Sequence, residues 1–210
     1  MTEIYCLDRG GETLPEEAAA LLPPWRREIY DRLKNEKVRQ ESLWTGLLFA
    51  YAVERRGVPA GEAAALLPAG KPVLRDRREL HFSLSHSGRF ILCAVGDAPV
   101  GADVQQMRDV RESMARRFCP GERTWLESLP PEERKAAFFR LWTRKEAWVK
   151  AVSDERMLSL SEQDVLDPPA GMFFRDYDLP EGYAAAACCL GEDLPALTPV
   201  APGDLRSGIV

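Results

Sequence analysis

The segment from Phe138 to Val152 constrains the fold more than any other part of the chain. It contains no glycine or proline and is rich in helix-favouring residues, so we predict a helix that Pro130 and Pro131 open. Within it, Glu146 and Lys150 lie one turn apart, beside an apolar stripe. Considered alone, this pair is best interpreted as an ordinary surface ion pair.

Composition and charge narrow the class of protein. The 210 residues are 45% hydrophobic and 29% charged, which is typical of a soluble globular protein. The net charge of -5 argues against a general binder of nucleic acid or anionic membranes. We find neither a signal-peptide pattern nor an apolar stretch long enough to cross a bilayer. Five cysteines with no C-x-x-C pair and only two histidines argue against a zinc site, so we expect a cytoplasmic, reduced protein.

Hydrophobic patterning along the chain predicts an α+β fold. Strands are expected over residues 4–7, 80–85, 90–95, 100–105 and 173–175, and residues 182–190 form a further apolar segment. Helices are expected over residues 15–22, 25–37, 38–56, 60–67, 113–117 and 123–128, besides the one described above. We interpret residues 85–88 as a loop and residues 193–210 as a loose C-terminal tail.

A weak internal repeat divides the chain. Residues 82–94 resemble residues 177–187, and each segment follows an aromatic-rich helix. This pattern indicates two similar halves, 1–97 and 98–192, that meet across an interface where ligand sites tend to form. Chance similarity of two hairpins explains the pattern equally well.

One predicted strand carries a candidate metal site. Alternation along a strand places Asp103 and Gln105 on the same face, and Gly101 leaves room for close backbone approach. With Glu146 from the helix, these side chains make an oxygen-rich site that suits magnesium. A strand that ends in solvated polar residues is an equally good interpretation.

Residues 83–88 combine hydroxyls, an imidazole and a glycine. Ser85 and His86 offer donors that suit a phosphate group. The segment is a poor nucleophile site because no acid partner is evident nearby. A plain polar hairpin loop is the alternative.

Four motifs in order then show a resemblance to a known family: Gly70-Lys71-Pro72, the run from Phe82 to Gly88, the run from Gly101 to Gln105, and the run from Trp142 to Lys150. Together they resemble the 4'-phosphopantetheinyl transferase superfamily, in its long, single-chain surfactin-synthetase-activator form, from about Trp25 to about Leu190. The resemblance implies two α+β halves related by pseudo-two-fold symmetry, coenzyme A in the cleft between them, and a monomer.

The resemblance also implies roles for individual residues. In the family's motifs, the positions of Asp103, Gln105 and Glu146 hold magnesium on the coenzyme A pyrophosphate. The position of Glu146 is also implicated in deprotonating the carrier serine, while those of Lys150 and His86 contact phosphates. The implied coenzyme A contacts are Lys71, Ser85, His86, Lys150, Arg26, Arg27 and Arg39.

Two positions depart from the family's pattern. Gln105 stands where the family has a second acid, so we expect weaker magnesium binding rather than lost activity. Gln40-Glu41 stands just before Ser42-Leu43, where relatives often carry arginine, which puts one contact to the adenosine phosphate in doubt. The alternatives are a coenzyme A-binding module with weak or no transfer activity, and a protein whose charged pairs only stabilise it.

The implied protein partner is an acidic acyl- or peptidyl-carrier domain. The segment from Met107 to Arg123 is locally basic in an acidic chain, which favours electrostatic steering of such a partner. Its candidate contacts are Arg108, Arg111, Met114, Arg117 and Phe118. A solvated helix face explains the same charges.

Overall fold

The structure is a computed structural model that describes residues 1–59, 64–66, 72–74, 77, 79–110, 112–152 and 159–205. It confirms the predicted α+β fold. The strands are β1 (Glu3–Asp8), β2 (Ala64–Leu66), β3 (Pro72–Leu74), β4 (His81–Ser87), β5 (Phe90–Gly96), β6 (Val100–Gln106), β7 (Met172–Tyr177), β8 (Tyr183–Leu190) and β9 (Leu197–Val200). The α-helices are α1 (Pro24–Arg32), α2 (Glu36–Glu54), α3 (Glu112–Ala115), α4 (Pro120–Ser128) and α5 (Pro131–Val152). Short 3-10 helices lie at Glu16–Leu21, Leu160–Glu162 and Pro202–Leu205.

The first sheet has the strand order β4-β5-β1-β9 and carries α2 on one face. Asn35 caps α2 because its side chain accepts a hydrogen bond from the Val38 N–H over 3.2 Å. Apolar side chains from α2 and the sheet, among them Trp44, Phe49 and Phe82, share one buried core. This packing fixes the N-terminal half of the chain.

The second sheet has the order β6-β8-β7, and α5 packs across β6 and β8. Pro131 begins α5, acidic residues follow in its first turn, and Lys150 lies in its last turn, as the helix dipole favours. Small side chains along β8, from Ala184 to Cys188, let the helix approach the sheet closely. The predicted central helix is confirmed.

The two halves repeat one order of elements. β1, α2, β4 and β5 follow each other in the first half as β6, α5, β7 and β8 do in the second. In each sheet a hairpin pairs with an earlier strand through its second strand, β5 with β1 and β8 with β6. A pseudo-two-fold axis between the halves, and the division at residue 97, stay predictions.

The inner faces of the two sheets pack together. Ile4, Leu92, Val104 and Ala185 belong to a buried cluster that both sheets line. β4 lies against β6, so the edges of the sheets meet there. This junction positions the candidate site described below.

Four predictions about local structure were wrong. Residues 64–66 form β2, paired antiparallel with β3, where we predicted a helix, because tertiary pairing overrode local helix propensity. Residues 16–21 form a short 3-10 helix rather than a longer helix. Residues 85–87 continue β4 instead of forming a loop, and only Gly88 and Arg89 turn the chain. Gly88 makes this tight turn possible with a φ of 59°.

The loose tail was the fourth wrong prediction. β9 pairs parallel with β1 and covers the open edge of the first sheet. Val200 and Leu205 bury their side chains in the first core. Pro199 lies in this edge strand, a position where a missing N–H is tolerated. None of the helices in the described ranges is long and apolar enough to cross a membrane.

Candidate active site

Asp103 is the buried centre of the site. It lies in the middle of β6 and is only 2% exposed. Its Oδ1 accepts hydrogen bonds from Ser85 Oγ and from Lys150 Nζ, each over 2.7 Å. Its Oδ2 accepts one from Gln105 Nε2 over 3.1 Å. These donors satisfy a carboxylate whose burial would otherwise be costly.

A row of serines holds β6 against β4. Residues two apart on a strand share a face, so alternate serines of β4 all point toward the edge of β6. They accept hydrogen bonds from alternate backbone N–H groups: Ser83 from Ala102 over 3.1 Å, Ser85 from Val104 over 3.2 Å and Ser87 from Gln106 over 2.9 Å. Hydroxyl oxygens thus replace the carbonyls of a neighbouring strand, and we call this row the serine ladder.

Gly101 lets α5 reach the strand that carries Asp103. A β-carbon placed at Gly101 would lie 1.8 Å from the carbonyl oxygen of Ala147 and 2.7 Å from the amide nitrogen of Ala151. Only a glycine fits under the helix there. The predicted close approach is confirmed, and it brings Lys150 of α5 to Asp103 of β6.

Glu146 lies one turn before Lys150 and faces the same site. Burial, together with repulsion from Asp103, raises the pKa of its carboxyl, while Lys150 and Arg117 act in the opposite direction. A bound cation would reduce the repulsion between these two carboxylates in their partly buried site. Glu146 and Asp103 are therefore close enough to interact electrostatically, and a metal site at this pair stays a prediction.

The donor set fits a magnesium ion. Asp103 and Glu146 offer carboxylate oxygens, which this hard cation prefers, and substrate phosphates and water complete such sites. Gln105 is oriented with its amide nitrogen toward Asp103. With this orientation Gln105 acts on Asp103 as a hydrogen-bond donor, and exchange of its amide oxygen and nitrogen would present an oxygen instead.

Lys150 already has two partners. Its ammonium donates to Asp103 and, over 3.1 Å, to the carbonyl oxygen of Ala102. An ammonium has three N–H groups, so one remains for a phosphate. Ser85 donates its hydroxyl proton to Asp103, and its contact with a phosphate stays a prediction.

His86 ends the row of side chains on the other face of β4. Its Nδ1 lies 3.9 Å from Oε2 of Glu41, and 44% of its side chain is exposed. The protein that covers the rest of the ring lowers the pKa of His86 by desolvation. Glu41 raises that pKa, and the cations Arg26, Lys150 and Arg9 lower it further. His86 is therefore mainly neutral at neutral pH.

The predicted arginines are in different surroundings. Arg26 donates to the carbonyl oxygen of Ser42 over 2.9 Å and is the one whose charge acts on His86. Arg27 pairs with Asp31 over 2.8 Å at the surface. Arg39 donates to Glu16 over 2.6 Å and lies over the Tyr30 ring. Lys71 lies outside the described residues.

The candidate carrier-binding residues also differ in their exposure to solvent. Arg108 and Arg117 are exposed, and Met114 is half-buried. Phe118 is 1% exposed and packs against Phe138 and Trp142, so its predicted role as a surface anchor was wrong. Its position in the apolar core of the second half explains the error, since an aromatic residue beside surface arginines gives no sign of its direction. Arg111 lies outside the described residues.

Sequence reasoning missed one buried ion pair. Lys145 and Glu122 are both 0% exposed, and their charged atoms lie 2.7 Å apart. Lys145 also donates to the carbonyl oxygens of Leu160 and Gln163, while Glu122 accepts from the Val165 N–H over 2.9 Å. The signal available was a charged pair of neighbours in one helix, Lys145 next to Glu146, of which only one can face the site.

Two further features lie away from the site. Cys119, Glu122 and Asp164 place possible ligand atoms within 4.8 Å of one another, but Glu122 is already neutralised by Lys145. A groove of about 510 Å³ lies between the first half of α5 and the end of the β7–β8 hairpin. None of the predicted site residues lines that groove.

The fold is that of an α+β protein with two larger sheets and a small β2-β3 sheet, and it has a carboxylate and ammonium site at the junction of the two larger sheets. Residues 99–194, which include β6, α5 and the second sheet, match the family model of the 4'-phosphopantetheinyl transferase superfamily. The matched segment, a little under half of the chain, is a domain of this superfamily.

Individual relatives agree. The chain is 32% identical over 148 residues to a 4'-phosphopantetheinyl transferase of Bacillus subtilis, which covers 64% of this chain and 66% of the relative. It is 36% identical over 132 residues to the 4'-phosphopantetheinyl transferase psf-1 of Bacillus pumilus, 57% of each chain. It is 28% identical over 139 residues to the 4'-phosphopantetheinyl transferase Sfp of Bacillus subtilis strain 168, 60% of this chain and 62% of the relative. The chain thus spans less than two thirds of the length of each of these relatives.

Proposed function

We propose that the protein transfers 4'-phosphopantetheine from coenzyme A to a serine of an apo acyl- or peptidyl-carrier protein, with release of 3',5'-ADP. The observation that carries this proposal is the arrangement of buried Asp103 with half-buried Glu146 and Lys150 at the junction of the two larger sheets, in a chain whose second half matches this superfamily. The relatives named above bear the same activity in their names.

The chemistry needs a base and groups that neutralise phosphate charge. The serine hydroxyl attacks the phosphorus that bears pantetheine, the bond from that phosphorus to the ADP oxygen breaks, and ADP leaves with the electron pair. Glu146 takes the serine proton, for which a carboxyl of raised pKa is well suited. Lys150 donates its remaining N–H to a pyrophosphate oxygen, while neutral His86, which points to the other face of β4, donates to another phosphate of coenzyme A.

Asp103, Glu146 and the amide of Gln105 would hold magnesium. When bound, the ion neutralises charge on the pyrophosphate oxygens. Asp103 keeps its direction through Ser85, and Lys150 limits repulsion between the two carboxylates. We expect the protein to act in the cytoplasm, where its cysteines, all buried and free, stay reduced.

The test is mass spectrometry of a panel of apo carriers after incubation with the protein, coenzyme A and magnesium. We expect one carrier serine to gain one phosphopantetheine, and Glu146→Gln to slow the gain by about 10²-fold or more. Glu132→Gln is the control, because Glu132 is exposed in the first turn of the same helix. No gain on any carrier would contradict the proposal.

A coenzyme A-binding module without useful transfer is the second candidate. The contact from Gln105 Nε2 to Asp103 favours it, because an amide nitrogen in that place donates instead of binding the ion. If coenzyme A raises the unfolding temperature of the protein while no carrier is modified, that result would support the binding module over the enzyme.

A further inference from the structure

A second charged group lies on the α2 side of β4, opposite the Asp103 carboxylate. Side chains alternate along a strand, so His86 points away from the face on which Ser85 meets Asp103. The face of β4 that carries His86 also carries Phe82 and Leu84, which pack into the core with α2. His86 therefore ends beside the N-terminal half of α2.

Glu41 of α2 lies between Arg9 and His86 at that point. Its Oε1 is 3.9 Å from Nη2 of Arg9, and its Oε2 is 3.9 Å from Nδ1 of His86. Its side chain is 18% exposed and that of Arg9 is 11% exposed, so solvent screens the attraction only partly. Both distances exceed that of a hydrogen bond, and these two contacts do not lock the carboxylate in place.

Arg26 adds a second permanent charge to the group. Its guanidinium donates to the carbonyl and hydroxyl oxygens of Ser42, the residue after Glu41, over 2.9 and 3.2 Å. Its Nε is buried without a hydrogen-bond partner among the described residues. Because burial lowers its pKa only to about 10, Arg26 stays charged at neutral pH. Arg9, Arg26, Glu41 and His86 thus form an anion site that already contains an anion, and we call this set the Glu41 group.

The position of the Glu41 group decides which phosphate it meets. The proposed reaction places the coenzyme A pyrophosphate at Asp103, Glu146 and Lys150, on the other face of β4. Coenzyme A has one further phosphate, the monoester at the ribose 3' position. Only adjacent positions of one strand, Ser85 and His86, separate the two faces, so one extended nucleotide can reach both.

The charge of Glu41 opposes that phosphate. Arg9 and Arg26 attract a phosphate monoester, but a dianion beside Glu41 meets like charge or must displace the carboxylate that lies 3.9 Å from Arg9. A nucleotide without the 3'-phosphate meets no such opposition. The net gain from the 3'-phosphate is therefore reduced by Glu41.

We propose that Glu41 is a specificity-determining residue that weakens recognition of the 3'-phosphate, so that coenzyme A and 3'-dephospho-coenzyme A bind with similar strength. This proposal rests on the proposed function, because it takes coenzyme A as the nucleotide in the cleft. It assigns Glu41 to the choice of nucleotide and not to the transfer step.

The test is calorimetric titration of the full chain with each nucleotide in the presence of magnesium and without carrier. For the wild-type protein we expect the two dissociation constants to agree within about tenfold. Glu41→Gln keeps the shape of the side chain and removes its charge, so coenzyme A should bind about tenfold tighter, while 3'-dephospho-coenzyme A changes less than about twofold. Glu54→Gln, at the exposed C-terminal end of the same helix, should change neither constant.

A double variant shows whether the gain passes through the Glu41 group. In Glu41→Gln/Arg9→Gln the gain for coenzyme A should be largely lost, because the phosphate loses a cation that Glu41 had occupied. Equal shifts for both nucleotides, or no shift for either, would overturn the proposal. If Glu41→Gln does not fold, the ratio of the two dissociation constants of the wild-type protein tests the proposal. A preference for coenzyme A above about tenfold would then overturn it. Binding of neither nucleotide would overturn the proposed function itself.

Discussion

Ser85 donates a hydrogen bond over 2.7 Å to Asp103, although the two residues belong to different sheets. The same hydroxyl accepts the Val104 N–H over 3.2 Å, so one serine fixes both a candidate metal ligand and the strand that carries it. Ser85 is therefore a positioning residue that couples the two halves of the protein at the site.

Ser85→Ala should weaken metal binding. Groups that orient a ligand typically contribute 10- to 100-fold to metal affinity, so we expect the magnesium concentration for half-maximal transfer to rise about tenfold. Ser83→Ala is the matched control, because Ser83 accepts a similar backbone hydrogen bond from Ala102 but makes none with Asp103. Urea unfolding should show a loss for both variants, about 1–3 kcal/mol for an unsatisfied buried N–H, and a larger one for Ser85→Ala because its hydrogen bond to Asp103 is also lost. An equal magnesium dependence in both variants would mean that Ser85 only joins the sheets.

Gly101→Ala should separate α5 from β6. The added carbon would overlap the backbone of Ala147, which a helix relieves only by moving, and we expect a loss of about 1–3 kcal/mol or more in free energy of unfolding. Gly121→Ala is the control, since the nearest atom to its added carbon is Asp164 Oδ2 at 3.6 Å, an ordinary contact. A Gly101→Ala protein as stable as the Gly121→Ala protein would contradict the close approach.

Lys145→Ala should destabilise the protein far more than the loss of a surface charge does. It leaves Glu122 ionised and 0% exposed without its counter-ion, which typically costs about 3–5 kcal/mol. Arg32→Ala breaks a surface pair with Glu28 at 4.0 Å and should cost less than about 1 kcal/mol. Chemical unfolding measures both, and similar losses would mean that water reaches Glu122.

His86 should titrate below the usual histidine value of about 6.5, since desolvation lowers its pKa in the folded protein. Its contribution to stability is therefore present above the unfolded pKa and is lost as the pH falls through the lowered folded value. Glu41→Gln removes a neighbour that raises the pKa and should lower it further. The chain has only two histidines, so NMR titration follows His86 directly with His81 as reference. A pKa that rises in Glu41→Gln would exclude the contact with Glu41.

Local sequence predicted the central helix, the strand of Asp103 and the α+β class, because each rests on short-range periodicity. It also placed Glu146 and Lys150 on one side of α5, since helical geometry alone sets that relation. The local sequence did not predict β2 and β9. Each forms only by pairing with a distant segment, β9 with β1 at the other end of the chain.

The partners of Ser85 and Phe118 could not be predicted from the sequence for the same reason. A hydroxyl can serve a phosphate or a neighbouring carboxylate, and only the packing of β4 against β6 selects Asp103. An aromatic residue among arginines can face solvent or the core. Phe118 faces the core because it packs against Phe138 of α5. The direction in which a side chain points relative to distant elements cannot be read from the local sequence pattern.

The sequence by itself determined the order of helices and strands near the site, the residue types that carry charge, and the family resemblance of four spaced motifs. Only the tertiary structure decided which charges meet: Lys150 with Asp103, Lys145 with Glu122, and Glu41 with Arg9 and His86. The physical reason is range. Backbone propensity acts over a few residues, whereas the energy of a charge depends on burial and on partners that packing brings from distant parts of the chain.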